Sequence, residues 1–199
     1  YDEDKKTIFY SSLYHTMIAP NLFSDADGKY RGMDLKVHES DHDVYTVFSL
    51  WDTFRATHPL YTIIEQDKTK DFLQTFMKQY DDGGILPIWE LSANYTGCMI
   101  GYHGVSVLAD AQAKGIEGID WQKALTAMKH SANQKHLGLD AYQNKGFMEV
   151  QDEPESVSKV LEYAYDDWCI AQLAKDLGDT STYQEFIQRA QYYKNMFNP

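Results

Sequence analysis

"ESVSKVLEYAYDDWCIAQLAKDLG", residues 155–178, decides the fold class of this chain. Apolar residues recur at helical spacing along the stretch, and Gly178 stands at its end, where helices are commonly closed by a glycine. The stretch therefore predicts one long helix that ends at Gly178.

Segments with the same helical spacing lie on both sides of this helix. Thr182 and Glu185 have the spacing of a capping box and predict the start of a further helix within 182–197. Upstream, helical patterns cover 8–17, 49–60, 69–83, 104–116 and 120–132, whereas Asp27-Gly28 predicts the turn of one small β-hairpin. The predicted fold class is all-α, with that hairpin as an insertion.

Composition and charge narrow the classes of partner. The chain has 199 residues, of which 43% are hydrophobic, and a formal net charge of −12. A phosphate backbone is bound by clustered Lys and Arg, so this charge argues against nucleic acid. The chain also contains no apolar run of the roughly 20 residues that a membrane span requires. These features predict a globular protein that does not bind nucleic acid and does not span a membrane.

The stretch "GGILPIWELSANYTGCMIGYH", residues 83–103, is apolar but fits neither a long helix nor an alternating strand. Its central carboxylate, Glu90, lies between Trp89 and Leu91. Burial beside an indole raises the pKa of a carboxyl group, and a neutral carboxylic acid is what a general acid needs at neutral pH. A structural carboxylate that caps the next turn explains the local pattern equally well. Both interpretations stay open on local pattern alone.

A second candidate chemistry is the segment "HESDH", in which His38 and His42 match the H-E-x-x-H pattern of zinc peptidases. That chemistry requires the motif on a helix, so that both imidazoles share one face. The flanking residues are typical of strand or loop, and no third ligand is evident. A solvated acidic loop is the better interpretation, with the zinc peptidase as an alternative.

Five segments in order resemble one enzyme family: "YHTMIAPNLFSDADGKYRGMD" (14–34), "YTVFSLWDTFRATHPL" (45–60), "GGILPIWEL" (83–91), "CMIGYH" (98–103) and "ESVSKVLEYAYDDWCIAQLAK" (155–175). Together they resemble the catalytic domain of glycoside hydrolase family 92, the calcium-dependent, inverting α-mannosidases of bacteria. Many members act on α-1,2-linked mannose. The resemblance implies that residues 1–199 are part of an (α/α)6 barrel, without the N-terminal β-sandwich and the C-terminal part of that barrel. Leu35 departs from the pattern, because a smaller residue is expected after Asp34.

The resemblance also implies roles for individual residues. Glu90 falls where the family places its general acid. The sugar subsites would be lined by Trp51, Asp52 and Arg55 of "LWDTFR", by Trp89 and His103, and by Glu155 at the start of "ESVSK". The catalytic base would be an aspartate beyond Pro199.

The expected protein is therefore an exo-acting α-mannosidase that uses Ca²⁺, acts on mannose-containing glycans and is periplasmic, secreted or on the cell surface. Calcium prefers oxygen ligands and could bind mannose hydroxyls. The alternative is a non-catalytic helical segment that binds carbohydrate or serves as a scaffold, since the base is not in this chain.

Overall fold

The computed structural model describes residues 2–197, and within this range the chain is mainly helical. The α-helices are α1 (Glu3–Thr16), α2 (Leu50–Thr53), α3 (Thr57–Ile64), α4 (Gln66–Gly83), α5 (Gly104–Ala113), α6 (Trp121–Ala132), α7 (Leu139–Lys145), α8 (Ser156–Asp176) and α9 (Thr180–Arg189). A short 3-10 helix, Tyr192–Met196, follows α9. The predicted helical class is confirmed, and α7 is a helix that the sequence pattern did not indicate.

Six short strands form three two-stranded antiparallel sheets in the described part of the chain, rather than one hairpin. The strands are β1 (Asn21–Leu22), β2 (Lys29–Arg31), β3 (Val37–Glu39), β4 (Tyr45–Thr46), β5 (Phe48–Ser49) and β6 (Trp89–Glu90). The pairs are β1 with β4, β2 with β3, and β5 with β6.

The hairpin turn is not where the sequence predicted it. Strands β2 and β3 are joined through Gly32–Lys36, where the N–H of Gly32 donates to the carbonyl of Lys36 over 2.8 Å. Asp27 and Gly28 instead form a turn that precedes β2, closed by a bond of 2.9 Å from Gly28 N to Asp25 O. Leu35, the residue that departs from the family pattern, takes the left-handed conformation in the hairpin, with φ of 65°.

Helix α8 lies at the centre of the packing. It contacts α5, α6, α9 and the 3-10 helix, and it buries Val160, Tyr163, Ile170 and Leu173 on its inner face. Helix α1 differs, because none of its residues is buried and Ile8, Phe9 and Tyr10 are exposed. Within residues 2–197, no helix combines the length and apolar character needed to cross a membrane.

The helix ends differ from the predictions by a few residues. Asp179 is the N-cap of α9, and its carboxylate accepts from the N–H of Thr182 over 3.0 Å. Thr182 is therefore inside the helix and does not begin a capping box. Helix α4 is capped by Gly84, at a φ of 83°, one residue after the predicted glycine. After α8, Leu177 is the C-cap and Gly178 follows with a φ of 76°.

A polar network is buried where α8, α9 and the start of α5 meet. Asp167 is fully buried and accepts from Tyr102 Oη over 2.7 Å, from Tyr142 Oη over 2.9 Å and from Arg189 Nε over 3.0 Å. Burial raises the pKa of Asp167 to about 6, and the charge of Arg189 opposes that rise. Each oxygen of the carboxyl group is therefore hydrogen-bonded, and the charge of Arg189 favours its ionised form.

His58 makes the fold sensitive to acid. It is 2% exposed and packs among the rings of Phe48, Tyr61 and Phe72. Burial lowers its pKa from 6.5 to about 4. Between these two pKa values the unfolded chain binds a proton that the folded chain does not. The free energy of unfolding therefore has its full value above the upper pKa and decreases as the pH falls. The loss is about 3 kcal/mol at pH 4.

We expect His58→Phe to remove this part of the acid sensitivity. Urea unfolding of the full-length protein at several pH values between 4 and 7 measures how the free energy of unfolding depends on pH. The same replacement at the exposed His15 is the control and should leave the slope of stability against pH unchanged. An unaltered slope in His58→Phe would contradict the assignment.

Candidate active site

A cleft lies between the start of α2, the loop before α5 and the start of α8. Its volume is about 370 Å³, and Trp51, Cys98, Met99, Glu153, Glu155 and Lys159 are among the residues that line it. We call this the Trp51 cleft. An indole face beside carboxylates and an ammonium group suits a sugar ring, whose faces are apolar and whose rim carries hydroxyls.

Strand pairing explains why two distant motifs meet near the cleft. In the β5–β6 pair, Ser49 lies opposite Trp89 and Phe48 opposite Glu90. Helix α2 begins immediately after Ser49, so "LWDTFR" leaves the strand beside "WEL". Successive side chains of a strand point to opposite faces, and Trp89 and Glu90 therefore face different environments.

The three predicted residues of "LWDTFR" are arranged around α2. Trp51 lines the cleft, and among the described residues its buried Nε1 has no hydrogen-bond partner. Asp52 is exposed and accepts from the hydroxyl of Ser49. Arg55 places its guanidinium 4.5 Å from the ring centroid of Phe54 and donates to Glu162.

At the opposite wall, Glu155 immediately precedes α8. It adopts the left-handed conformation with φ of 55°, and its Oε2 lies 3.6 Å from Nζ of Lys159. Lys159 is buried and also donates to Glu153. An ammonium between two carboxylates keeps both acidic side chains at the cleft.

His103 does not touch the cleft directly. The ring is 1% exposed and stacks on Phe54, with centroids 3.8 Å apart. Its Nδ1 is 2.8 Å from Oδ1 of Asp166, and its Nε2 is 3.5 Å from Oε2 of Glu162. Any contact of His103 with a sugar therefore passes through a neighbouring side chain.

Glu90 is enclosed by protein. It is 1% exposed, and its carboxylate accepts from Thr46 Oγ1 over 2.8 and 3.1 Å and from the N–H of Ala93 over 2.6 Å. Burial raises its pKa, and the hydrogen bonds from Ala93, Thr46 and neighbouring groups oppose the rise. The residue does not line the Trp51 cleft.

The structure thus brings Trp51 and Glu155 together at one cleft and joins Arg55 to His103 through Glu162. Trp89 is half-buried on β6, next to the start of α2. Glu162 and Asp166 were missed by the sequence reasoning. Helical spacing could have found the first of them, because Glu162 follows Lys159 by three residues and the two share one face of α8.

The zinc peptidase interpretation is wrong in its structural premise. His38 is on strand β3 and His42 is in the turn after it, so the two imidazoles do not share a helix face. His38 Nε2 instead lies 2.8 Å from Oδ1 of Asp34, and His42 Nδ1 lies 2.9 Å from Oδ1 of Asp41.

The described residues contain no preformed cluster of side chains for a metal ion. Across residues 2–197 no group of three or more His, Cys, Asp or Glu side chains is placed to hold one. Calcium prefers six to eight oxygen ligands, which carboxylates, carbonyls and waters supply together.

The fold is that of a family of glycoside hydrolases. Residues 1–199 match the family model described as the glycosyl hydrolase family 92 catalytic domain, and the chain belongs to that family.

Solved structures show the same fold. The family GH92 α-mannosidase BT3965 from Bacteroides thetaiotaomicron is 44% identical, with a TM-score of 0.97, and the match covers 100% of this chain and 27% of that one. The inverting mannosidase BT2199 from the same organism is 38% identical, with a TM-score of 0.89, over 96% of this chain and 27% of that one. BT3965 has also been solved in complex with mannoimidazole.

A curated relative is more distant. An uncharacterised secreted glycosidase of Arthroderma benhamiae is 27% identical over 144 residues, which are 64% of this chain and 18% of the relative. The chain spans about a quarter of the length of the solved structures and 18% of the length of the curated relative.

Proposed function

We propose that the full-length protein is an exo-acting α-mannosidase that removes mannose, α-1,2-linked in its preferred substrates, from glycans with inversion. The observation that carries the proposal is the Trp51 cleft, in which an aromatic face and the carboxylates of Glu153 and Glu155 converge. The names of the relatives support it, since BT3965 is called an α-mannosidase and BT2199 an inverting mannosidase.

The proposed role of the cleft is to bind one sugar. Trp51 would pack against a ring face, while Arg55 and Glu155 would hydrogen-bond to hydroxyls. Asp52 on α2 and Trp89 on β6 would line the rest of the sugar site. Inversion requires an acid and a base about 6.5–9.5 Å apart with a water between the base and the sugar. The base is proposed to be an aspartate beyond Pro199.

The acid is proposed to be Glu90, and two observations bear on it in opposite directions. Burial raises its pKa, which favours the neutral form that can protonate a glycosidic oxygen. Its enclosure by Thr46 and Ala93 opposes the assignment, because the carboxyl cannot reach a sugar unless the loop 91–101 moves. The competing role is structural, with Glu90 holding that loop in place.

The loop backbone is strained at several residues. Ser92, Ala93 and Met99 adopt positive φ, between 50° and 74°, and Gly97 and Gly101 also have positive φ. Non-glycine residues in this conformation are strained and persist only where surrounding contacts hold them. The bonds from Glu90 to Ala93 and Thr46 are such contacts.

The proposal also includes the (α/α)6 barrel, the N-terminal β-sandwich of the full-length protein and a location outside the cytoplasm. These rest on the family resemblance, and the name of the Arthroderma relative, a secreted glycosidase, agrees with the location.

Calcium dependence is proposed on the resemblance and is tested by chelation. We expect the full-length protein to release mannose from α-1,2-mannobiose, to lose that activity in excess EDTA and to regain it when Ca²⁺ is added back. Proton NMR of the first product formed should show the β-anomer. Full turnover in excess EDTA would remove the calcium part of the proposal, and no mannose release at all would remove the mannosidase itself.

A further inference from the structure

Asp166 fixes the orientation of the His103 ring. Asp166 is fully buried. One of its carboxyl oxygens accepts from the N–H of Tyr102 over 2.8 Å, and the other lies 2.8 Å from Nδ1 of His103. The hydrogen bond between the carboxyl group and Nδ1 fixes the orientation of the ring and leaves Nε2 on its opposite side.

The free side of the ring is aimed at Glu162. Nε2 of His103 is buried and lacks a hydrogen-bond partner among residues 2–197, and its nearest acidic neighbour is Oε2 of Glu162 at 3.5 Å. Phe54 covers one face of the ring, and a Cβ at Gly101 would collide with Nε2. These contacts hold the ring in one orientation, so Nε2 cannot turn toward another partner. A buried polar atom without a hydrogen bond is unusual.

Glu162 connects this buried pair to the region of the cleft. Its side chain is 17% exposed, and its second oxygen accepts from Arg55, which is 59% exposed. Glu162 follows Lys159 by three residues on α8, and Arg55 follows Trp51 by four residues. Lys159 and Trp51 line the Trp51 cleft, so the Arg55–Glu162 pair links the two segments that supply those lining residues.

We infer that His103, held by Asp166, is a positioning residue that presents Glu162, and that Glu162 with Arg55 binds neighbouring hydroxyls of the sugar. A carboxylate accepts from one hydroxyl while a guanidinium donates to the next, so the pair matches a vicinal diol. This inference rests on the proposed function, since it assigns further residues of the same site. It also revises the direct sugar contact predicted for His103.

The test uses the full-length protein and two conservative variants. Glu162→Gln keeps the shape and removes the charge, and His103→Asn keeps a donor near Asp166 but removes the Nε2 side of the ring. For both we expect the Kd for D-mannose, measured by calorimetry, and the KM for α-1,2-mannobiose to rise about tenfold, with kcat changed less than about threefold. Glu185→Gln breaks a carboxylate–arginine pair on α9, 3.8 Å from Arg189, and should change neither constant.

The outcomes separate the inference from the proposed function. If the wild-type protein binds D-mannose but hydrolyses no mannoside, the proposed mannosidase function is wrong. The Kd values of the variants then still decide the inference. Unchanged Kd in Glu162→Gln, or no D-mannose binding by the wild type, overturns the inference. A His103→Asn protein that matches the wild type in Kd while Glu162→Gln is weakened overturns the positioning role. A purely structural role of His103 predicts a lower unfolding temperature in His103→Asn with an unchanged Kd. That result also contradicts the positioning role.

Discussion

In the full-length protein, Glu90→Gln is expected to lower kcat on α-1,2-mannobiose by about 10²–10⁴-fold, because the amide cannot protonate the leaving oxygen. The KM should change little, since Glu90 does not line the Trp51 cleft. The variant has nearly the same volume as the wild type. A loss of this size at constant KM is what removal of an interaction specific to the transition state produces.

The leaving group distinguishes the two roles open to Glu90. A 2,4-dinitrophenyl α-mannoside departs as a weakly basic anion and does not need a proton. Loss of a general acid should therefore be largely repaired on this substrate, with a rate within about tenfold of the wild type. A structural role predicts equal loss on both substrates, because the loop 91–101 would be displaced for either one.

Thr46→Val provides a matched control. It removes the hydroxyl that donates to both oxygens of Glu90 and leaves the carboxyl group itself in place. If Glu90 is the acid, this variant should keep most of its activity on both substrates. If the contacts of Glu90 serve to hold the loop, Thr46→Val and Glu90→Gln should be impaired alike, and the acid assignment fails.

Asp167→Ala is expected to lower the free energy of unfolding by about 3–5 kcal/mol. The replacement leaves Arg189 as a buried charge and removes the acceptor of Tyr102 and Tyr142. The Arg189 guanidinium keeps two neutral acceptors, Asn133 Oδ1 at 2.9 Å and the carbonyl of Ala132 at 3.1 Å, and one exposed carboxylate, Glu185, at 3.8 Å. Urea unfolding of the full-length protein, followed by tryptophan fluorescence, measures the change.

The control for this prediction is an ion pair at the surface. Asp81 lies 2.6 Å from Lys123, with side chains 46% and 41% exposed. Asp81→Ala should cost at most about 1 kcal/mol, because water and salt screen the pair. Similar losses in both variants would show that the buried network contributes no more than a surface contact.

The helices were largely predictable, because most of them bury apolar residues at helical spacing, α1 being an exception. The prediction of α8 over 155–178 agrees with the structure to within two residues at each end. Helix α7 was missed because it is short, at seven residues, and lies in a segment rich in Gly, Asn and acidic residues. The hairpin turn was misplaced because Asp-Gly is the stronger local signal, whereas the turn that forms requires Leu35 to accept a positive φ.

The candidate site was predictable in part. The motif around Trp51 and the start of "ESVSK" both reached the cleft, since each lies at a helix start where side chains are exposed. The neighbours that enclose His103 and Glu90 could not be read from the sequence. They include Phe54, which covers one ring, and the turn at 90–93, which closes over one carboxylate, and both are tertiary contacts.

Two adjacent residues before α5 dock on two adjacent aspartates of α8. Tyr102 contacts both Asp166, through its N–H, and Asp167, through its hydroxyl, while His103 contacts Asp166. A one-residue shift at this joint would break every one of these bonds, so its register is fixed. The loop 91–101 ends at that fixed point. Four of its residues, Gly97, Cys98, Met99 and Ile100, line the Trp51 cleft, so differences in this loop would reshape the cleft while the helices keep their register.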